Sequence, residues 1–214
     1  MKKFLMLLVL VAIGVFGFQP TSHALTLTLD DGINPIQTVT GTTLAIFTGA
    51  IGAWTTNVST ALAPAGLIEL DLNSVNLSTG SGTKTLTISA SQQGFGPFPL
   101  GFTTHDHAGG TLDNGSVEFK WYIDIGNVLF GTSNLLADET TSAASYNFDD
   151  HNSLGFSGPF SMTEIATITH TAGGLTSFNQ ELIAEPVPEP ATMLLLGSGL
   201  LGMGVYARRK FSKK

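Results

Sequence analysis

The amino-acid sequence predicts an all-β protein, an antiparallel β-sandwich of about 9–11 strands flanked by an N-terminal signal helix and a C-terminal transmembrane helix. Three observations support this fold class. Short segments alternate apolar and polar residues with a period of two, which is the pattern of half-buried strands. Gly, Asn, Asp and Ser separate these segments, and none of them sustains a helical period. Two uncharged apolar stretches stand near the ends of the 214-residue chain.

The N-terminus predicts a secretory signal peptide over residues 1–24. Lys2-Lys3 precedes an apolar stretch, residues 4–18, and Ser22-His23-Ala24 follows as a small-x-small site. A basic start, an apolar middle and such a site are the three parts of a signal peptide. Cleavage after Ala24 by signal peptidase would leave Leu25 as the first residue, and the alternative is an uncleaved anchor. The chain is exported in both cases.

The C-terminus predicts a transmembrane helix over residues 191–207. This segment carries no charge, and its length lies at the lower limit of the ~17–25 residues that cross a hydrocarbon core. A basic tail, residues 208–214, follows, with Arg208, Arg209 and Lys210 as the stop-transfer residues. Positive charge stays in the cytoplasm. Both basic ends therefore place the body of the chain on the outer side of the membrane.

The body, residues 25–183, carries the predicted strands. Only one face of each alternating segment is apolar, which favours antiparallel sheets stacked face to face. Residues 134–144 fit one helical turn instead. The predicted strands cover residues 25–29, 44–47, 54–58, 68–72, 85–89, 117–124, 128–130, 146–148, 161–171 and 178–183.

Tight turns are predicted at Asp30-Asp31-Gly32 and Asp113-Asn114-Gly115. Asn and Gly tolerate the left-handed backbone of such turns, so the second turn is expected to join the strands of a hairpin. The glycine-rich stretches at 80–82 and 173–174 are predicted turns as well. Neither precedes a helix with the Lys-Ser/Thr of a phosphate-binding loop.

Composition limits the possible functions. The chain has no cysteine, which excludes disulfides, thiol catalysis and thiolate metal sites. Residues 25–186 keep Lys84 and Lys120 against 15 carboxylates, a formal charge of −13, whereas the whole chain has −7. Such a charge repels nucleic acid and anionic membrane surfaces, so nucleic acid is excluded as a partner. The acids are scattered, which is typical of a solvated surface.

The tail resembles a known sorting signal. Val187-Pro188-Glu189-Pro190, the apolar segment and the terminal Arg-Arg-Lys together resemble the PEP-CTERM signal of Gram-negative bacteria. The resemblance implies that Pro188, Glu189 and Pro190 are recognised by an exosortase, a membrane-embedded cysteine protease-transpeptidase. The tail is then lost, and the body reaches the cell surface or the extracellular polymer. Prolines lack a backbone N–H and keep the chain extended, which suits a protease cleft.

The alternative for residues 184–190 is a rigid linker before a permanent tail anchor. Residues 70–76 and 158–163 are also similar to segments in the β-sandwich bodies of this family. That similarity implies the fold and no activity. The sequence thus predicts a noncatalytic surface or matrix protein, structural or adhesive in exopolysaccharide. The alternatives are a carbohydrate-binding module that uses an aromatic loop and a glycan hydrolase.

The aromatic loop supplies the glycan candidates. Phe95, Phe98 and Phe102 stand among glycines and prolines, and exposed rings there could stack on sugars or on another protein. The alternative is a loop that folds its rings over one end of the sandwich, because apolar rings usually join a core.

Histidines and carboxylates supply the metal candidates, although the sequence requires no cofactor. In a strand, His105 and His107 would point to one face and could hold a metal, with Asp113 or His151 as third ligand. The polar, glycine-rich composition of residues 103–110 favours a mobile surface loop instead. Asp149 and Asp150, or the acids at 30–31, are candidates for calcium. The spacing of a calcium loop is absent, and these acids otherwise cap turns.

No motif groups catalytic residues. Glycoside hydrolysis needs two carboxylates that flank the substrate, and no two of the acids on the predicted strands are grouped. These acids, all expected to point outward, are Glu69, Asp71, Glu118, Asp124 and Glu164. The Gly-x-Ser-x-Gly elbow of serine hydrolases is absent as well. The sequence therefore predicts that the protein is not an enzyme.

Overall fold

The computed structural model describes residues 24–62, 68–98 and 101–187, together with Ser198. Twelve strands in this part form two antiparallel sheets of six strands each, named sheet A and sheet B. The described residues between 24 and 187 contain no helix. The predicted all-β class with two stacked antiparallel sheets is confirmed.

The strands follow one another with few long connections. In chain order they are β1 (Leu25–Asp30), β2 (Gln37–Gly41), β3 (Leu44–Ile51), β4 (Trp54–Leu62), β5 (Ile68–Ser78), β6 (Lys84–Phe95), β7 (Phe102–Leu112), β8 (Gly115–Asp124), β9 (Asn134–Thr141), β10 (Ser145–Leu154), β11 (Phe160–His170) and β12 (Gly174–Pro186). Sheet A has the order β2-β1-β6-β11-β8-β9, and sheet B has the order β10-β7-β12-β5-β4-β3.

Both predicted ends fall almost wholly outside the described residues. This applies to the signal peptide up to residue 23, to Pro188, Glu189 and Pro190, to the transmembrane segment apart from Ser198, and to the basic tail. Among the residues that are described, no helix is long and apolar enough to cross a membrane.

The core lies between the inner faces of the two sheets. In β8, Val117, Phe119 and Trp121 turn inward and are buried, while the polar residues between them are partly exposed. Trp121 also donates its indole N–H to the backbone carbonyl of Glu181 in sheet B, at 2.9 Å. This ring therefore joins the sheets by packing and by a hydrogen bond.

His170 is a second polar link across the core. It lies on β11 of sheet A, and its ring nitrogens are 2.6 Å from Ser78 Oγ and 2.7 Å from Thr176 Oγ1 of sheet B. The Trp54 ring lies against it, with centroids 4.8 Å apart. Burial lowers the pKa of His170 below its ordinary value. The residue is thus a neutral, hydrogen-bonded part of the core.

Several local predictions are wrong. Residues 134–144 do not form a helical turn, because β9 pairs with β8 along the edge of sheet A. Residues 128–130 form a loop, since the Val128 N–H binds the Asp124 carboxylate at 2.8 Å and the Gly131 N–H binds the Val128 carbonyl at 2.9 Å. The turn at 113–115 has a positive φ of 54° at Asn114. It joins β7 of sheet B to β8 of sheet A and not the strands of a hairpin.

The polar stretches around the histidines are also strands. The mobile surface loop predicted over residues 103–110 is wrong, because these residues belong to β7. Residues 149–151, expected to cap a turn, belong to β10. The two strands pair residue by residue from Ser145↔Thr111 to Leu154↔Phe102. Backbone pairing across the sheet therefore prevails over the local polar composition.

Glu164 points into the core, contrary to its predicted outward position. It shares the inner face of β11 with Met162 and Ala166 and is fully buried. Neither carboxyl oxygen has a hydrogen-bond partner among the described residues. Burial raises the pKa of Glu164 well above its ordinary value, and the charges of nearby acids, Asp71 first, add to the effect.

We expect Glu164→Gln to stabilise the protein at about pH 8 and to have little effect at about pH 4. The folded pKa is raised above the unfolded one, so protonation stabilises the fold. This contribution is complete below the ordinary glutamate pKa of 4.5 and is lost as pH rises through the folded pKa. Gln is uncharged throughout. Thermal unfolding should show a rise in Tm of about 2–4 °C for each kcal/mol gained.

The exposed Glu185 offers a control for this test. Glu185→Gln removes a carboxylate without removing a buried charge, so its Tm should change little at either pH. If Glu164→Gln raised the Tm equally at both pH values, ionisation of Glu164 would not explain the effect.

Candidate functional site

The outer face of sheet B collects histidines and carboxylates from four neighbouring strands. The register places His105 opposite His151, and His107 opposite Asp149. Glu181 on β12 lies opposite His107 on one side and opposite Asp71 on the other. Side chains in a strand alternate between the two faces, so this register brings them to one surface. The residues are His105, His107, Asp149, His151, Glu181, Asp71 and Glu69.

Three of these side chains meet at the edge of the sheet. Nε2 of His105 is 2.6 Å from Oδ1 of Asp149, and Nε2 of His151 is 3.6 Å from the same oxygen. The two imidazole rings stack with centroids 4.5 Å apart and planes at 9°. One donor atom from each residue lies within 4.8 Å of the others. The group has the composition of a metal site with two imidazoles and one carboxylate.

The remaining metal candidates do not belong to this group. His107 shares its face but has Nε2 2.8 Å from Oδ1 of Asn147. Asp150 follows Asp149 in a strand, so their side chains lie on opposite faces, and Asp150 is in register with Asp106. A shared calcium site at these two acids does not fit this alternation. Asp113, the other third ligand considered, lies between β7 and β8.

The acids at 30–31 cap a turn, as the alternative interpretation of the sequence expected. Asp30 accepts the Gly32 N–H at 2.7 Å, and Asp31 accepts the backbone N–H groups of Ile33 and Asn34. Burial raises the pKa of Asp31, but these bonds and the Asn34 side chain outweigh it, so the pKa is lowered. Asp31 and Asn34 line a groove of about 350 Å³ with Trp54 and Lys84.

Like charges accumulate in the middle of the outer face. Burial, then the carboxylates of Glu181 and Glu69, raise the pKa of Asp71 to about 6. The Asn73 side chain donates to both Asp71 oxygens, and Asn179 donates to Glu181. On the inner face of the same sheet, burial raises the pKa of Asp106 to about 6 as well. Some of these acids therefore bind protons near neutral pH.

The acids considered for hydrolysis are divided among different places. Glu69 and Asp71 lie on sheet B, whereas Glu118 and Asp124 lie on β8 of sheet A. Glu164 is inside the core. These five acids therefore do not form one site.

The aromatic candidates close one end of the core. Phe102 is fully buried and stacks on Phe160 with centroids 4.5 Å apart. The ring centroid of Phe98 lies 5.5 Å from that of Phe102 and 5.9 Å from that of Phe160. The ring centroid of Phe95 also lies 5.9 Å from that of Phe160. Phe95 and Phe98 are half-buried. The arrangement matches the alternative in which the loop covers one end of the sandwich, and Phe102 offers no face to a ligand.

Residues 186–210 match the family model of the PEP-CTERM protein-sorting motif. The chain carries a PEP-CTERM sorting motif. The match spans the Pro-Glu-Pro sequence, the apolar segment and the basic residues Arg208, Arg209 and Lys210. This motif implies an exported, surface-directed protein of a Gram-negative bacterium, processed by exosortase-type machinery. No curated protein matches the sequence.

Solved structures resemble the body distantly. A cleaved adhesin domain of Lys-gingipain from Porphyromonas gingivalis is 13% identical with a TM-score of 0.35, covering 68% of this chain and 99% of that one. The adhesin domain of Epf from Streptococcus pyogenes is 9% identical with a TM-score of 0.41, covering 80% and 64%. The C-terminal carbohydrate-binding module of LamC, a marine laminarinase from Zobellia galactanivorans, is 11% identical with a TM-score of 0.29, covering 59% and 89%. Similarities at this level carry no argument about function.

We expect Phe102→Ala to lower the free energy of unfolding by about 3–5 kcal/mol, because it opens a cavity beside Phe160 in the core. Phe98→Ala should lower the free energy of unfolding by less, since the Phe98 ring is only half-buried. Urea denaturation of both variants measures the difference. If both variants lost the same small amount of unfolding free energy, the two rings would not support the core.

Proposed function

We propose that the protein is a noncatalytic component of the cell surface or extracellular matrix, structural or adhesive within exopolysaccharide. It is sorted and cleaved through Val187-Pro188-Glu189-Pro190. The observation that carries this proposal is the sorting motif at residues 186–210. The predicted signal peptide, with cleavage between Ala24 and Leu25, supplies the export step that the motif requires. The predicted helix at 191–207 holds the precursor in the membrane until it is processed.

The junction between body and motif suits such processing. The last strand, β12, ends at Pro186, and the Val187 N–H binds the Gly101 carbonyl at 3.2 Å. Cleavage at the motif would leave every described strand intact. Moreover, β12 pairs with β5 on one side and β7 on the other. A body attached through this end is held by a central strand of sheet B.

The properties of the body support a role outside the cell. It folds without cysteine, so it does not depend on the redox state of its surroundings. Its excess of carboxylates favours solubility in an aqueous matrix. Of the acids considered for hydrolysis, Glu118, Asp124 and Glu164 lie away from the acids on the outer face of sheet B.

We expect Glu189→Gln to block processing, because the resemblance makes Glu189 the charged member of the recognised tripeptide. Mass spectrometry of membrane and extracellular fractions measures the ends of the chain. The unchanged protein should start at Leu25, end near residues 186–190 and occur outside the cell. The variant should remain in the membrane and end at Lys214.

Glu185→Gln is the matched control, since it removes the same charge just before the motif and should be processed normally. If the unchanged chain itself still ends at Lys214 in the membrane, the tail is a permanent anchor. The proposed matrix role would then lose its main support.

A carbohydrate-binding module is the second candidate function. The observation that favours it is the position of Phe95 and Phe98, whose half-buried rings rest on the buried Phe160 ring. Rings held in place lose little conformational freedom when they stack on a sugar. A glycan hydrolase, the third function considered from the sequence, would need an acid and a base that flank a substrate. Of the five acids considered for it, Glu69 and Asp71 share the outer face of sheet B, and the other three lie elsewhere.

We expect Phe98→Ala to weaken binding to exopolysaccharide isolated from the producing cells by about tenfold if this second function is correct. Affinity electrophoresis measures the binding, and the thermal unfolding of the variant shows whether it folds. Phe47→Ala is the control, because Phe47 is a half-buried ring on β3 of sheet B. Absence of binding by the unchanged protein, with a matrix defect in a deletion strain, would favour the first function.

A further inference from the structure

The edge strand β10 is attached to sheet B through β7 alone. Edge strands expose unpaired backbone N–H and C=O groups. Natural proteins protect such strands with charged side chains, prolines, bulges or a covering segment. His105 of β7 and Asp149 and His151 of β10 lie across this junction on the solvent side. Two of these residues come from the edge strand and one from its neighbour, so anything that binds all three joins the two strands.

We propose that His105, Asp149 and His151 bind a divalent metal ion that prefers imidazole, such as Zn²⁺, and that this ion clips β10 to β7. Ligand atoms of a tetrahedral zinc ion stand about 2.0–2.1 Å from the metal and therefore roughly 3.3 Å apart. The distances from Asp149 Oδ1 to the two histidine nitrogens, 2.6 and 3.6 Å, lie on either side of this value. The imidazole rings of His105 and His151 lie in nearly parallel planes, so they must rotate out of their stack before both nitrogens face one ion.

The ligand types select the metal. Two imidazoles and one carboxylate suit Zn²⁺, Cu²⁺ or Ni²⁺, whereas Ca²⁺ takes six to eight oxygen ligands and this group offers one carboxylate. The side chains of His105, Asp149 and His151 are 37%, 54% and 71% exposed. A metal ion can therefore enter without opening the fold, and a water molecule can complete its coordination.

The surrounding charge favours a cation at this place. Glu181, Asp71 and Glu69 occupy the same face on the next two strands of the sheet. Among the described residues, Lys84 is occupied by the carbonyls of Gly80, Ser81 and Gly82. Lys120 lies on sheet A beside Glu118 and Asp138. Neither lysine competes for Asp149.

The test is a zinc titration of the full chain, purified in detergent without a histidine tag and stripped of metal. Competition with a chromogenic chelator measures affinity and stoichiometry, and thermal unfolding measures stabilisation. We expect one Zn²⁺ per chain and a Tm that rises with zinc concentration, because the ion binds the folded state. His151→Gln and Asp149→Asn should each weaken zinc binding by at least about tenfold. Excess Ca²⁺ should not displace the zinc.

His107→Gln is the matched control, since His107 lies on the same face, next to the group, and bonds Asn147 instead. It should keep the affinity of the unchanged chain. Absence of saturable binding at one zinc per chain would overturn the proposal, as would an equal loss in His107→Gln and His151→Gln. If the variants of the three ligand residues fail to fold, the visible absorption spectrum of Co²⁺ added to the unchanged chain tests the proposal. A visible spectrum of tetrahedral cobalt at one equivalent supports the site, and an octahedral aqueous spectrum rejects it.

Discussion

The burial of two inner sheet faces against each other is the constraint on which the rest of the structure depends. The chain has no cysteine, so apolar burial at about 25 cal/mol per Å² must hold the sandwich together. The hydrogen bonds of Trp121 and His170 across the core fix how the sheets meet. A strand that slipped by one residue would turn its apolar set to solvent. The register, and with it the surface group at His105, therefore follows from the core.

Negative charge is the second constraint, because the described body has two lysines to oppose its acids. Ion pairs accordingly neutralise few of them, and Lys84 is bound to backbone carbonyls. The protein accommodates several acids by protonation instead. Glu164 and Asp106 are buried in the core, whereas Asp71 lies on the outer face of sheet B. Burial is the largest cause of the raised pKa of all three carboxyl groups. These carboxyl groups make the fold favour lower pH.

Local alternation predicts most of the strands that bury an apolar face and misses polar strands, including β7, which lies inside sheet B. β8 and β11 alternate clearly because one face of each is buried in the core. β9 and β10 lie at sheet edges, where both faces carry polar residues, so their sequences resemble turns. The prediction that Glu164 points outward is wrong, because it shares the buried face of β11 with Met162 and Ala166. The group at His105 and Asp149 joins residues 44 positions apart, and no local pattern encodes that pairing.

The end of the sandwich from which the sorting signal leaves is also its aromatic end. Pro186 pairs with Phe102, and Val187 is bonded to Gly101. The predicted apolar segment begins at residue 191, and five extended residues span at most about 18 Å. If that segment anchors the precursor in a membrane, Phe95 and Phe98 lie on the side of the sandwich that faces it, and the turn at 113–115 lies at the opposite end. A glycan bound at the aromatic end would contact the protein beside its attachment point. The outer face of sheet B runs between both ends, so its histidine and carboxylate groups stay accessible before and after processing.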